Sequence, residues 1–144
     1  MPVTHRSDRQ FQIVVVEDTL DDAEMTMRAL SQCIPAPTST LARDGSEALE
    51  LLTGEEACRP DLIFLDLKLP KVSGLELLRI LKESPDTRAT PAVVLTSSDE
   101  PGDIAKATAL GADEYILKPM NWEEYAEVIC QVVSKYLPSS VGEL

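Results

Sequence analysis

The chain has 144 residues, 44% hydrophobic and 26% charged, enough for one soluble globular domain with its own core. Its 25 acids against 13 bases give a net charge of −12, which argues against direct nucleic-acid binding and against an anionic membrane surface as partner. No apolar run approaches the ~20 residues of a membrane helix. Cys33, Cys58 and Cys130 are an odd, scattered set without metal or redox spacing, expected as free thiols in a reducing cytoplasm.

Residues 1–10 are polar and include the only histidine, His5; they are expected to be a frayed tail rather than a signal or an anchor. Strand-like apolar runs then alternate with segments of helical period, the pattern of a parallel α/β sheet. The first strand is Gln12 to Val16. A helix follows from Thr19 to about Cys33, with Ala23, Met27 and Leu30 on one face and Thr19–Asp22 as a capping pair. After Pro35 and Pro37 comes a short strand, Thr38 to Ala42, and a helix capped by Asp44 with Glu47 in the reciprocal position. Leu62 to Leu65 is the central strand. Ser73 caps a helix carrying Leu75, Leu77, Leu78 and Leu81.

Pro91 introduces a fourth strand, Ala92 to Thr96. Pro101 and Gly111 bracket a helix with only Ile104, Leu110 and alanines to bury, so it is expected to be the least firmly packed. Glu114 to Leu117 is the fifth strand. Asn121 caps the last helix, whose stripe is Tyr125, Val128, Ile129 and Val132. Five strands and five helices use up residues 11–138, and 139–144 read as a short C-terminal tail.

The chemistry sits at the strand exits. In an open parallel sheet the carboxyl ends of the strands share one edge. Glu17 and Asp18 end the first strand, Asp66 the third, Thr96 the fourth and Lys118-Pro119 the fifth. Clustered carboxylates repel, and a hard divalent cation with oxygen ligands, Mg²⁺, resolves this while leaving room for a phosphoryl group. Lys118 supplies a compact positive charge and Thr96 a hydroxyl donor for that group. Asp66, flanked by the others, is the candidate nucleophile of an aspartyl-phosphate. Taken singly, Asp18 is a helix cap, Thr96 a turn residue and Tyr115 a packed strand aromatic. Together, in this order, they describe a site.

These residues, with Pro70 and Gly74 after Asp66 and Tyr115 three residues before Lys118, resemble the receiver domain of two-component response regulators over about Gln12 to Tyr136. The resemblance implies a doubly wound, flavodoxin-like sheet in order 2-1-3-4-5. It implies phosphorylation of Asp66 by a sensor histidine kinase, and Mg²⁺ held by Glu17, Asp18, Asp66 and the backbone carbonyl of Lys68. Lys118 would contact the phosphoryl group, and Thr96 and Tyr115 would be the switch pair. Pro70 and Gly74 would shape the acidic loop, and the isomeric state of Lys118-Pro119 becomes a point of interest. Val16-Glu17-Asp18, Asp22-Ala23 and Val94-Leu95-Thr96-Ser97-Ser98 resemble the stand-alone regulators of bacterial phytochromes. That implies a phytochrome-type kinase, an unidentified downstream protein and a homodimer through the fourth and fifth helices and fifth strand.

Phosphorylation is expected to draw Thr96 inward, let Tyr115 turn, and shift the helix from Pro101, with Ile104, Tyr115 and Tyr125 as readout face. An intermediate phosphorelay carrier is the alternative. An aspartate-nucleophile phosphatase is a rival of similar topology, but such enzymes carry a second aspartate where this chain has Lys68. A nucleotide-binding fold would need a glycine-rich loop after the first strand, which is missing.

Overall fold

Ile13 to Val16 is an unbroken apolar run, and a strand apolar on both faces must lie inside a covered sheet. The computed structural model, which describes residues 11–54, 57 and 59–136, places it there. Strand β1 (Gln12–Val16) pairs in parallel with β2 (Thr38–Ala42) on one side and β3 (Leu62–Leu65) on the other. Strands β4 (Ala92–Thr96) and β5 (Glu114–Leu117) extend the sheet to the order β2-β1-β3-β4-β5, all parallel. Every residue of β3 and β4 is buried, whereas β2 and β5, at the two edges, are partly exposed. The expected tails, His5 and Cys58 lie outside the described residues.

Five helices connect the strands: α1 (Leu20–Ser31), α2 (Gly45–Leu52), α3 (Gly74–Glu83), α4 (Pro101–Leu110) and α5 (Trp122–Tyr136). Alternation along the strands divides the core in two. Ile13, Val15, Phe64, Val93 and Leu95 face Leu30 of α1 and Tyr125, Ile129 and Val133 of α5. Val14, Val16, Ile63, Leu65 and Val94 face Leu52 of α2, Leu77, Leu78 and Leu81 of α3, and Ala107 of α4. Burying each such leucine or isoleucine stabilises the fold by about 1.5–3 kcal/mol relative to leaving it exposed. Ala107 is the single buried residue of α4, so the helix expected to be weakly packed is so.

Most helix starts follow the expected chemistry. Asp44, Ser73 and Asn121 accept hydrogen bonds from the backbone N–H of Glu47, Glu76 and Glu124 at 2.7, 3.2 and 2.8 Å. The Glu47 carboxylate accepts from the Arg43 amide at 2.7 Å, one residue before the expected partner. The Thr19–Asp22 pair departs further: Thr19 makes no side-chain cap bond, and Asp22 is engaged elsewhere.

One expectation fails outright. Cys33 and Cys130 are joined as a disulfide, with Cα atoms 5.3 Å apart, tying the end of α1 to α5. They are separated by 97 positions and meet only because α1 and α5 pack side by side on one face of the sheet. Among the described residues the cis peptide is Ile34-Pro35, and Lys118-Pro119 is trans.

Candidate functional site

The residues at the strand exits are held by the sheet's own ladder. The Glu17 amide donates to the Ala42 carbonyl at 3.0 Å, the Asp66 amide to Val16 at 3.1 Å, and the Lys118 amide to Thr96 at 2.8 Å. Hydrogen bonding thus continues one residue beyond β1, β3 and β5, which fixes where these side chains start. The loop after Asp66 is pinned from the other side by Gly74, whose amide donates to the Leu67 carbonyl at 3.0 Å.

Lys118 closes the cluster. Its Nζ donates to Glu17 Oε1 at 2.8 Å, to Asp66 Oδ2 at 2.8 Å and to Asp22 Oδ2 at 2.7 Å. An ammonium has three donors, and all are used. Glu17 and Asp66 are buried, the Lys118 side chain is 8% exposed, and three carboxylates face one cation. Burial and the charge of Asp66 push the Glu17 carboxyl up to about 7 against the pull of Lys118. Burial would raise Asp66 as well, but the Lys118 ammonium, the Thr96 hydroxyl and the Lys68 amide together hold it below its ordinary value. The Lys68 amide donates to Asp66 Oδ1 at 3.2 Å, while the Lys68 side chain is exposed. Burial disfavours the Lys118 cation, yet the hydrogen bonds it donates to Asp22, Asp66 and Glu17 raise its pKa overall.

Asp18 is half-buried beside this cluster but not joined to Lys118; its backbone carbonyl accepts from Arg43 Nη2 at 3.5 Å. Among the described residues no three acidic, histidine or cysteine side chains are gathered as a ready metal cluster, and the Lys118 ammonium bridges Glu17 and Asp66 instead. The donor set nevertheless fits a hard cation. It consists of oxygen ligands, carries more negative charge than Lys118 neutralises, and includes a glutamate that burial holds near neutral pH.

Thr96 and Tyr115 meet through Ser98. Thr96 is fully buried; its Oγ1 accepts from the Ser98 amide at 3.3 Å, and its hydroxyl supports Asp66. Tyr115 Oη donates to the Ser98 carbonyl at 2.8 Å, and burial raises its pKa. Ser98 Oγ in turn donates to Asp103 Oδ2 of α4 at 2.6 Å. The expected readout face needs correction at one position. Tyr125 is 1% exposed, with its hydroxyl 2.7 Å from Thr26 Oγ1 in the core. It lies on the buried stripe of α5.

Sequence reasoning missed Asp22 and Ser98 as parts of the site. Asp22 had a signal, an acid in the first turn of a helix that begins at a strand exit, but capping offered a local use for it. Ser98 stood only as the end of the Val94–Ser98 run, with no role of its own.

Known proteins share this fold over most of the chain. The probable methanogenesis regulatory protein FilR2 of Methanothrix harundinacea is 34% identical over 88% of this chain and 84% of its own length. Response regulator Rcp1 of Synechocystis is 32% identical over 87% of this chain and 88% of that protein. Among solved structures, the phosphorylated cyanobacterial phytochrome response regulator RcpA superposes with a TM-score of 0.84 at 33% identity, covering 91% of this chain and 96% of that one. The Mn²⁺-bound form of Rcp1 superposes at 0.81 and 32% identity, covering 90% and 96%. Residues 13–130 match the response regulator receiver domain, and the chain belongs to that family.

Proposed function

We propose that this receiver, comprising residues 11–138, takes a phosphoryl group on Asp66 from the phosphohistidine of a sensor kinase and signals by protein contact. A carboxylate oxygen of Asp66 attacks phosphorus, the P–N bond breaks, and the imidazole leaves with its electron pair and takes a proton. Lys118 and Thr96 neutralise and donate to the phosphoryl oxygens. Glu17, Asp18, Asp66 and the Lys68 carbonyl would hold Mg²⁺, which supplies charge neutralisation between carboxylate and phosphoryl group.

The observation that carries the reading is Lys118 Nζ at 2.8 Å from the buried Asp66 carboxylate, with the Thr96 hydroxyl beside it. Likeness to RcpA supports a phytochrome-type kinase as donor, and among the described residues no helix is long and apolar enough to cross a membrane. Phosphorylation is read through Thr96, Ser98 and Tyr115, whose bonds reach α4. The neighbouring face exposes Ile104, Leu117 and Met120 at 37%, 47% and 96%, which suits a homodimer or a downstream protein. Profiling phosphotransfer from a panel of sensor kinases tests the reading. Transfer from a phytochrome-type kinase at a rate well above the others is expected, and equal or absent transfer would contradict that partner.

A further inference from the structure

Three carboxylates share the Lys118 ammonium, and they are not equivalent. The Glu17 and Asp66 side chains are 3% and 8% exposed and belong to the proposed cation ligands. Asp22 is 33% exposed, stands on α1 and belongs to no such set, yet its contact is as short as theirs. It is not spent on its own helix start: the amide of Thr19 donates to Glu17 Oε2 at 3.2 Å, and the Thr19 side chain caps nothing. The first turn of α1 therefore presents an acid to the lysine of β5, 96 positions away.

A hard cation held by Glu17 and Asp66 would compete with Lys118 for two of its three acceptors. The lysine stem is flexible, and an ammonium without an anchor loses its aim. Asp22 is the acceptor that remains. The seam between α1 and α5 keeps it in place. Thr26 and Tyr125 bond at 2.7 Å in the core, and the Arg28 guanidinium lies 4.8 Å over the Trp122 ring. We infer that Asp22 is a positioning residue: it anchors the Lys118 ammonium from the α1 side, so that the face of the ammonium now turned to Asp66 meets the incoming phosphoryl oxygen. This rests on the reading of Asp66 as acceptor.

The test uses the full chain with Mg²⁺ and acetyl phosphate as phosphoryl donor, following the intact protein's gain of one phosphoryl mass. Asp22→Asn should slow uptake about tenfold, the scale of one charge-assisted hydrogen bond. Asp22→Glu, which keeps the charge, should recover to within about threefold of wild type. In a Lys118→Met chain, Asp22→Asn should cost less than about twofold more, because it acts only through the lysine. Wild-type uptake by Asp22→Asn would overturn the inference, and so would an equal tenfold loss in both backgrounds, which is also what misfolding would give. Phosphoryl mass gained by Asp66→Asn would overturn the acceptor reading and this inference with it; the Asp22 outcomes overturn this inference alone.

Discussion

Gly74 lies directly against Asp66: a Cβ placed on Gly74 would come 2.2 Å from the Asp66 carbonyl oxygen and 2.4 Å from Leu67 Cα. The start of α3 thereby packs onto the backbone that carries the proposed acceptor, and only a residue without a side chain permits the approach. Gly74→Ala should destabilise the protein by about 1–3 kcal/mol through overpacking. It should also slow phosphoryl uptake, because the strain is relieved by moving the Asp66 loop. Gly102→Ala is the control. It sits in the first turn of α4 with nothing within 4 Å of the added Cβ, so it should leave the melting temperature unchanged or slightly higher. Thermal melting and uptake rates of both variants check this.

The Glu17 carboxyl gives the metal-free protein a definite pH dependence. Its folded pKa, about 7, lies above the ordinary glutamate value of 4.5. A raised value means the folded state holds the proton more tightly, so this contribution is fully present below about 4.5 and is lost as pH rises through 7. On the order of 3 kcal/mol is at stake. Asp66 is shifted the opposite way, and its contribution is lost only as pH falls below the ordinary carboxylate range. Denaturant titrations in EDTA should show stability falling between pH 5 and 8. The gain on adding Mg²⁺ should grow across the same interval, since the cation takes over the charge of the ionised site. A gain from Mg²⁺ that is flat with pH would contradict this.

Tyr125 is the largest fully buried side chain, and its hydroxyl meets Thr26 Oγ1 at 2.7 Å. Tyr125→Phe removes one partner and leaves the other hydroxyl buried and unpaired, at a cost of about 1–3 kcal/mol. The Thr26→Val, Tyr125→Phe double variant removes both polar groups and should recover part of that loss. Urea midpoints of the two single variants and the double variant measure the pairing.

The disulfide predicts a redox-dependent melting temperature. Cys33–Cys130 closes a loop of 97 positions that contains β2 to β5. The chain-entropy account assigns such a loop about 4.7 kcal/mol, expressed through the unfolded state. Reduction should lower the melting temperature by about 15 °C, and Cys33→Ala should melt at the same temperature with and without reductant. Calorimetry under both conditions checks it.

The strands were the most legible part of the fold. Leu62 to Leu65 and Ala92 to Thr96 are buried on both faces, and a run that is apolar throughout leaves little ambiguity between proline and turn residues. The site residues were legible for the same reason, since Glu17, Asp66, Thr96 and Lys118 are polar groups placed where such runs stop. What the sequence hid were partnerships between elements far apart in the chain. Asp22 meets Lys118, Cys33 meets Cys130 and Thr26 meets Tyr125 over separations of 96, 97 and 99 positions. The last two lie along the seam of α1 and α5 and the first joins the start of α1 to the exit of β5, and strand patterns do not say which helices share a face. Each partner also had a local use that suited it: a cap for Asp22, a lone thiol for Cys33, a surface aromatic for Tyr125.

The central claim is that Asp66 is the phosphoryl acceptor. Phosphorylated protein treated with borohydride converts an aspartyl-phosphate to homoserine, which peptide mapping locates by mass. Conversion at Asp66, dependent on Mg²⁺ and lost in Asp66→Asn, is the predicted result. Conversion at Glu17, Asp18 or Asp22 with Asp66 intact would contradict the account.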